Sequence, residues 1–177
     1  MSIGLYRGDV LLQDHQDKWE ENAKDTIAVL KDILGDSAID IEHIGSTAIK
    51  SICAKPIIDI VIGVNDLDDI LKFNTILEEK GFLYRGNDHP GQCLYVCGRD
   101  DFITHHIHVC KYNSDIWNDY INIRDYLNNN YDDALEYEKL KKYLANKYPK
   151  ERKTYTSMKA DMINEIIDKA RKWKEER

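Results

Sequence analysis

Residues 41–64 read IEHIGSTAIKSICAKPIIDIVIGV, and this stretch decides the fold of the 177-residue chain. The β-branched run at residues 39–44 predicts a strand, since such side chains fit a pleated surface. The Gly-Ser-Thr triplet at residues 45–47 ends it, because glycine permits a tight turn and serine or threonine caps a helix. We expect the short helix to end at Lys55, because the residue before a proline is displaced from helical conformation. Residues 57–64, almost all isoleucine and valine, predict a second strand.

This second strand carries one carboxylate, Asp59, in an otherwise apolar run. Strand alternation places four β-branched residues on one face and Asp59 on the other, with Ile57, Val61 and Gly63. A carboxylate in such a run is costly if it is buried without partners. Two interpretations stay open: a capped or ion-paired structural aspartate, or a metal-binding or catalytic carboxylate opposite the Gly-Ser turn.

A hairpin further along the chain carries two candidate metal ligands. Residues 94–97 and 102–110 alternate as strands joined by a Gly-Arg-Asp-Asp turn. In the second of these strands His106 and His108 point to the same side, roughly 6.6 Å apart at the usual strand rise. Such a pair can reach one metal ion, or it can be two polar residues on an open sheet face. His105 falls on the other face, and we interpret it as a hydrogen-bonded core histidine. That face also holds three apolar residues: Ile103, Ile107 and Val109.

Composition and charge limit the classes of function. The chain is 42% hydrophobic and 32% charged, with a formal net charge of −7. At this length we expect one domain over residues 1–177. The negative charge argues against nucleic acid as a partner, because a basic stripe supplies most of that affinity. No apolar run reaches membrane-spanning length and the N-terminus lacks the apolar core of a signal peptide, so we expect a cytoplasmic protein without a membrane partner.

The rest of the chain predicts helices. One ends near residue 34, before the central strands, and another covers residues 67–80. Three more follow the hairpin, over residues 114–128, residues 131–148 and from residue 154 onward, with apolar residues at three- and four-residue spacing. The prediction is an α+β fold, with a mixed β-sheet, flanking helices and a C-terminal helical half.

These motifs resemble the GrpB family, a branch of the nucleotidyltransferase-fold superfamily. The most specific part is HIGSTA at residues 43–48 followed by KPIIDI at residues 55–60. Further marks of the family are THHIHV at residues 104–109, RDYL at residues 124–127, Tyr155 and Lys159. The resemblance covers essentially the whole chain. It implies a nucleotidyltransferase-like mixed sheet, in which a later strand lies beside the strand that carries Asp59.

The resemblance also implies a reaction, which is transfer of a nucleotidyl group from a nucleoside triphosphate to an unidentified small-molecule or macromolecular acceptor. A divalent metal (Mn²⁺, Zn²⁺ or Mg²⁺) would bind Asp59, with His106 and His108. The turn and the helix after it would present backbone N–H groups to the phosphates. Asp59 and His43 are the candidate catalytic residues. The candidates for binding the nucleotide, or another phosphorylated small molecule, are Gly45, Ser46, Thr47, Lys55, Arg124 and Lys159.

Three of these assignments have ordinary structural alternatives. His43 can be a ligand or a base, or it can form a hydrogen bond that orients the turn. Lys55 can contact a phosphate or pair with a surface carboxylate. Arg124 suits bidentate phosphate binding, yet an Arg–Asp pair on a helix surface is common.

The chain departs from the superfamily's full metal-binding pattern at Val61. That pattern has two carboxylates, spaced Asp-x-Asp or Asp-x-Glu, and a third on a later strand. Here the second carboxylate is missing, and His106 and His108 stand where the third is expected. One carboxylate and two imidazoles suit Mn²⁺, Fe²⁺ or Zn²⁺ better than Mg²⁺, which prefers oxygen. Three functions stay open: a metal-dependent nucleotidyltransferase, a non-catalytic module that binds a nucleotide or phosphate ligand, and a metal-dependent hydrolase.

Overall fold

A computed structural model describes residues 3–177, and within them six strands form one mixed sheet. The order across the sheet is β2-β3-β6-β5-β4, with β1 also paired to β6. The β3–β6 pair is parallel and the other described pairs are antiparallel. The strands are β1 (Leu5–Tyr6), β2 (Asp40–Ile44), β3 (Ile58–Val64), β4 (Leu83–Tyr84), β5 (Gln92–Arg99) and β6 (Phe102–Lys111).

Seven α-helices surround this sheet in the described part of the chain. They are α1 (Asp17–Leu34), α2 (Leu67–Leu71), α3 (Asn74–Glu79), α4 (Asp115–Asn129), α5 (Tyr131–Lys147), α6 (Arg152–Ser157) and α7 (Ala160–Glu175). The predicted α+β fold with a C-terminal helical half is confirmed. No helix within residues 3–177 is both long enough and apolar enough to cross a membrane.

The two faces of the sheet are covered by different helices. On one face, Ile58, Ile60 and Ile62 of β3 pack against Trp19 and Leu30 of α1. Burial of each such isoleucine contributes roughly 1.5–3 kcal/mol to stability, so this face anchors the fold. On the other face Val61 packs with Trp117 of α4. Asp59 therefore lies on the face that the C-terminal helices cover.

The helix predicted after the Gly-Ser-Thr triplet is absent, and that prediction is wrong. Residues 46–48 form a single 3-10 turn, and the chain from there to β3 is irregular. Its backbone groups bond to other elements instead: Ala54 pairs with Gln13, and the Cys53 N–H donates to Glu138 of α5. Because Ile49 and Ile52 are buried against the C-terminal helices, tertiary contacts override the local helix signal.

Two smaller predictions also fail. The helix expected over residues 67–80 is broken between α2 and α3, where the Phe73 N–H donates to Ile70 O in a tight turn and the Phe73 side chain packs on the core. In β6, a bulge leaves Thr104 without a partner on β5, since Cys97 pairs with His105 and Gly98 with Ile103. An extra residue reverses the alternation. Ile103 therefore packs with Leu5, Ile57 and Val96 rather than on the face of His105.

Candidate functional site

The parallel pairing of β3 with β6 brings the candidate metal ligands together. Asp59 stands opposite His106 and Val61 stands opposite His108. The Nδ1 atom of His106 lies 3.0 Å from Asp59 Oδ1, and the Nε2 atom of His108 lies 3.9 Å from the same oxygen. The expected meeting of these three side chains is therefore present, on the face covered by the C-terminal helices.

The carboxyl group of Asp59 is strongly stabilised as an anion. Burial alone would raise its pKa, but the hydrogen bond from His106, together with the nearby imidazole of His108, outweighs burial and holds the pKa of Asp59 far below its usual range. A carboxylate with so low a pKa accepts hydrogen bonds well and is a weak base. Asp59 is therefore suited to orient an imidazole rather than to take up a proton.

The orientation of His108 is set by a buried polar network that the sequence did not reveal. Gln92 is 1% exposed, and its Nε2 lies 3.3 Å from His108 Nδ1. The hydroxyl of Tyr120 donates to Gln92 Oε1 at 2.8 Å, and Asp88 accepts from Gln92 Nε2. Since Gln92 donates to Nδ1 of His108, the ring proton is on Nε2, the atom that faces Asp59.

This arrangement does not fit the metal site that the resemblance implies. The Nδ1–H of His106 and the Nε2–H of His108 face Asp59, and the lone pair left on Nε2 of His106 points away from the carboxylate, whereas ligands of one metal ion must direct their lone pairs at a shared point. Among residues 3–177, no group of three or more His, Cys, Asp or Glu side chains is placed to hold a metal ion. The position of the second carboxylate, Val61, is fully buried beside Trp117. The side chains present therefore form a hydrogen-bonded carboxylate–imidazole cluster.

Gly45 packs directly against the Asp59 carboxylate. Its φ angle is +71°, and a Cβ built on it would lie 2.5 Å from Asp59 Oδ2. This position requires a positive φ and leaves no room for a Cβ beside the carboxylate. Glycine alone meets both requirements, because other residues rarely adopt this φ and all of them carry a Cβ. The turn after β2 therefore closes one side of the cluster.

We expect Gly45→Ala to destabilise the fold by roughly 2–3 kcal/mol, because backbone strain adds to the contact with Asp59. Gly86→Ala is the matched control: its φ is +83°, yet its Cβ would meet nothing within 4 Å. That variant should lose about 1 kcal/mol from backbone strain alone. Urea unfolding measures both. Equal losses in the two variants would show that the Asp59 contact contributes nothing.

Four cationic side chains face this cluster across a cavity of about 250 Å³. They come from separate elements: Lys55 precedes β3, Lys141 is on α5, Arg152 is on α6, and Lys159 stands between α6 and α7. Ser46 and Thr47 also line this space, which we call the cation cavity. Among the described residues that line it, Asp59 is the one carboxylate, so the cavity carries an excess of positive charge and favours an anion.

Burial and mutual repulsion act on two of these lysines. Burial, with the nearby charges of Lys159 and Arg152, lowers the pKa of Lys55 to about 7. Burial lowers the pKa of Lys141 to about 7 as well. Lys141 is 1% exposed and donates to Cys53 O, so its ammonium is held at the wall of the cavity. Desolvation disfavours the protonated form of a lysine, and an anion bound in the cavity would favour protonation again.

Lys159 and Lys55 both lie near the ring of Tyr155. The Nζ atoms are 4.6 Å and 5.3 Å from its centroid, respectively, which is cation–π distance. Tyr155 is 1% exposed, and the ring therefore forms a rigid floor for the two ammonium groups. Tyr155 was noted in the sequence only as a weak family mark.

Two of the sequence candidates lie elsewhere. His43 pairs opposite Ile60 and so points to the α1 side of the sheet, where its Nε2 lies 2.9 Å from Thr47 Oγ1. Burial lowers the pKa of His43 to about 4. His43 and Arg124 both line a pocket that is separate from the cation cavity. The guanidinium group of Arg124 already donates hydrogen bonds to Glu42, Asp125 and the carbonyl oxygen of His43. Neither His43 nor Arg124 lines the cation cavity.

Lys141 and Arg152 are the site residues that sequence reasoning missed. A signal for Lys141 exists: it occupies a core position of α5, between the buried residues Tyr137 and Leu144 at helical spacing. A lysine in such a stripe is costly unless it serves a partner. Arg152 lies in a run of polar residues, where nothing distinguishes it from its neighbours.

Comparison with solved structures defines the class of fold. The Cid1 poly(U) polymerase, in a structure of a mutant bound to MgATP, superposes with a TM-score of 0.52 at 16% identity, covering 75% of this chain and 44% of that chain. The fold is therefore nucleotidyltransferase-like. A crystal structure of the conserved protein GrpB from Enterococcus faecalis superposes with a TM-score of 0.84 at 30% identity, covering 90% of this chain and 96% of that one.

The chain belongs to the GrpB family. The family model for GrpB protein matches residues 9–169. The Glutamate-rich protein GrpB of Alkalihalophilus pseudofirmus is 38% identical, over 94% of this chain and 98% of that protein. The UPF0157 protein YqkA of Bacillus subtilis is 31% identical over 92% of this chain, which spans 48% of that longer protein.

Proposed function

We propose that this chain binds the triphosphate of a nucleotide in the cation cavity and transfers the nucleotidyl group to a hydroxyl or amine of an acceptor. The observation that carries the proposal is the placement of four cationic side chains opposite the Asp59–His106 pair, within a nucleotidyltransferase-like fold. Lys55, Arg152 and Lys159 supply charge for the phosphates, as such side chains do in other phosphate sites.

In this proposal the Asp59–His106 pair performs the proton transfer. Asp59 accepts the Nδ1–H of His106, which leaves Nε2 of that ring as the base. The acceptor oxygen or nitrogen bonds to the α-phosphorus, and its proton passes to Nε2. The bond from the α-phosphorus to the bridging oxygen breaks, and pyrophosphate leaves. The cations stabilise the charge that develops on this leaving group.

Binding is tested first. Isothermal titration with ATP, UTP and pyrophosphate should give heats for the wild type, and Lys159→Gln should bind each ligand roughly tenfold more weakly or worse, since a charge-assisted hydrogen bond contributes ~1.5–3 kcal/mol. Lys153→Gln, which changes an exposed lysine of α6, should bind like the wild type. Absence of binding by all three ligands to the wild type at millimolar concentration would contradict the proposal.

Transfer is tested with variants of the proton-transfer pair. His106→Gln should keep nucleotide binding and lose pyrophosphate release, because the base is gone. Asp59→Asn should bind nucleotide at least as tightly, since a negative charge leaves the cavity, and should also lose turnover. The measurement is mass spectrometry of nucleotide products with a mixture of hydroxyl and amine compounds, with and without Mn²⁺, Zn²⁺ or Mg²⁺.

A second candidate function is a non-catalytic binding module. It is favoured by Val61, which removes the second carboxylate, and by the histidine pairing that replaces a metal site. Tight nucleotide binding without any product, under every metal condition, would support this candidate. Loss of phosphate from the nucleotide without an acceptor would instead indicate the hydrolase.

A further inference from the structure

A second cavity, of about 210 Å³, opens on the other side of Asp59. Its walls are apolar side chains of three C-terminal helices: Ile123 and Leu127 of α4, Tyr137 of α5, and Ile163 and Ile166 of α7. It shares Ser46, Asp59 and Lys159 with the cation cavity, so the two spaces meet at the carboxylate. We call this space the apolar cavity.

The volume of the apolar cavity suits one ring. An engineered apolar cavity of about 150 Å³ holds benzene, so a space of about 210 Å³ admits a single ring with a short substituent. A nucleoside, in which a ribose is attached to the base, has about three times as many heavy atoms as benzene, whereas this space is only about 1.4 times as large as the benzene-binding cavity. The cavity therefore fits a small molecule better than the sugar and base of a nucleotide.

The charged groups of the apolar cavity lie at one end. Ser46, Asp59 and Lys159 are grouped where this cavity meets the cation cavity, and the helix side is lined by aliphatic side chains together with Tyr120 and Tyr137. The Tyr120 hydroxyl is already committed to Gln92. A nucleobase carries polar atoms around its edge, and those facing the isoleucines would lose hydrogen bonds to water without replacement. A ring with one polar substituent places that substituent at Asp59 and leaves its carbon atoms against the isoleucine and leucine side chains.

We infer that the apolar cavity binds the acceptor, a small single-ring aromatic alcohol or amine, and holds its hydroxyl or amine beside the Asp59–His106 pair. This inference rests on the proposed function. The acceptor oxygen or nitrogen forms the new bond to the α-phosphorus, its proton passes to His106, and pyrophosphate leaves through the cation cavity. The ring itself stays against Ile163 and Leu127.

The test uses 4-methylphenol and benzylamine as probes, with uracil and adenine for comparison. Ligand-observed NMR and titration give the dissociation constants for the full chain. Ile163→Trp fills the cavity from a half-buried position of α7, and Asn164→Trp places the same side chain at the neighbouring exposed position. We expect at least one of the two probes to bind the wild type and Asn164→Trp, and to bind Ile163→Trp at least tenfold more weakly. Circular dichroism and pyrophosphate titration report whether Ile163→Trp keeps its fold.

Each outcome has one meaning. If pyrophosphate binds the wild type but neither probe does, the acceptor inference is overturned and the proposed function stands. Equal probe binding by a folded Ile163→Trp also overturns the inference, because the ring then lies elsewhere. Preference for uracil or adenine over both probes would make the cavity a base site and overturn the acceptor assignment. If ATP, UTP and pyrophosphate all fail to bind the wild type, the proposed function fails and the acceptor role fails with it.

Discussion

Val61→Asp, which restores the superfamily's second carboxylate, is expected to destabilise this protein by roughly 3–5 kcal/mol rather than to create a metal site. Val61 is 0% exposed and packs with Ile44, Cys110 and Trp117. A carboxylate there loses its hydration, and the one polar residue beside it on β6, His108, is already bonded to Gln92. Urea unfolding at pH 8 measures the loss.

The control for this prediction is Val61→Asn, which has nearly the same shape without the charge. Burial should raise the pKa of the new carboxyl group above its value in the unfolded chain. The extra instability of Val61→Asp over Val61→Asn is therefore present above the unfolded pKa of about 4 and shrinks as the pH falls towards it. Unfolding at pH 5 and pH 8 measures this trend. A stable Val61→Asp protein that gains Mg²⁺ affinity would show that the site accepts a second carboxylate.

The part of the site carried by β3 and β6 was predictable from the sequence. Alternation along a strand is local, so it places Asp59 on one face of β3, and His106 and His108 on one face of β6. The family resemblance implied that a later strand lies beside β3, and the structure shows that this strand is β6, paired in parallel, so that those faces come together. The same alternation assigned Ile103 to the wrong face, because a bulge depends on pairing with a neighbouring strand and leaves no local signal.

The cationic half of the site was not predictable in the same way. Lys55, Lys141, Arg152 and Lys159 come from four places in the chain, and their meeting depends on how α5 and α6 pack over the sheet. The sequence also grouped His43 with Asp59, although β2 alternation points His43 to the opposite face. Proximity in a motif is a weak guide to the direction of a side chain when the motif crosses from a strand into a turn.

The affinity of this protein for ATP should fall steeply as the pH rises from 7.5 to 9. Lys55 faces Lys159, Arg152, Asp59 and Lys141, and burial among these groups lowers the pKa of Lys55 to about 7 from the usual 10.5. Lys141, whose other charged neighbours are Glu138 and Lys142, behaves alike. A bound triphosphate favours the protonated form of both lysines. At a pH above their pKa values, the protein must therefore take up protons when ATP binds. Above pH 7, deprotonation of each of these two lysines lowers the ATP affinity about tenfold per pH unit. Between pH 7.5 and 9 the affinity should therefore fall by roughly 100-fold or more.

Other sources of pH dependence act differently. The terminal phosphate titrates near pH ~6, so ATP is fully ionised throughout this range. Between pH 7 and 9 the unfolded chain binds more protons at Lys55 and Lys141 than the folded chain does, so these groups make the free protein more stable as the pH rises. Weaker binding therefore cannot be attributed to unfolding by these two groups. Titration calorimetry in buffers of different ionisation enthalpy counts the protons taken up.

The variant Lys141→Met tests how much of the pH dependence of ATP affinity comes from Lys141. It removes one titrating group while keeping an unbranched side chain in the buried stripe of α5, so the slope of log affinity against pH should fall by about one unit. Lys139→Met, at an exposed position of the same helix, should keep the slope of the wild type. An ATP affinity that is constant from pH 7.5 to 9 in the wild type would mean that these lysines do not face the phosphates. The cation cavity would then be expected to bind a different anion. Its cationic lining comes from the way the helices pack over the sheet and does not depend on a nucleotide.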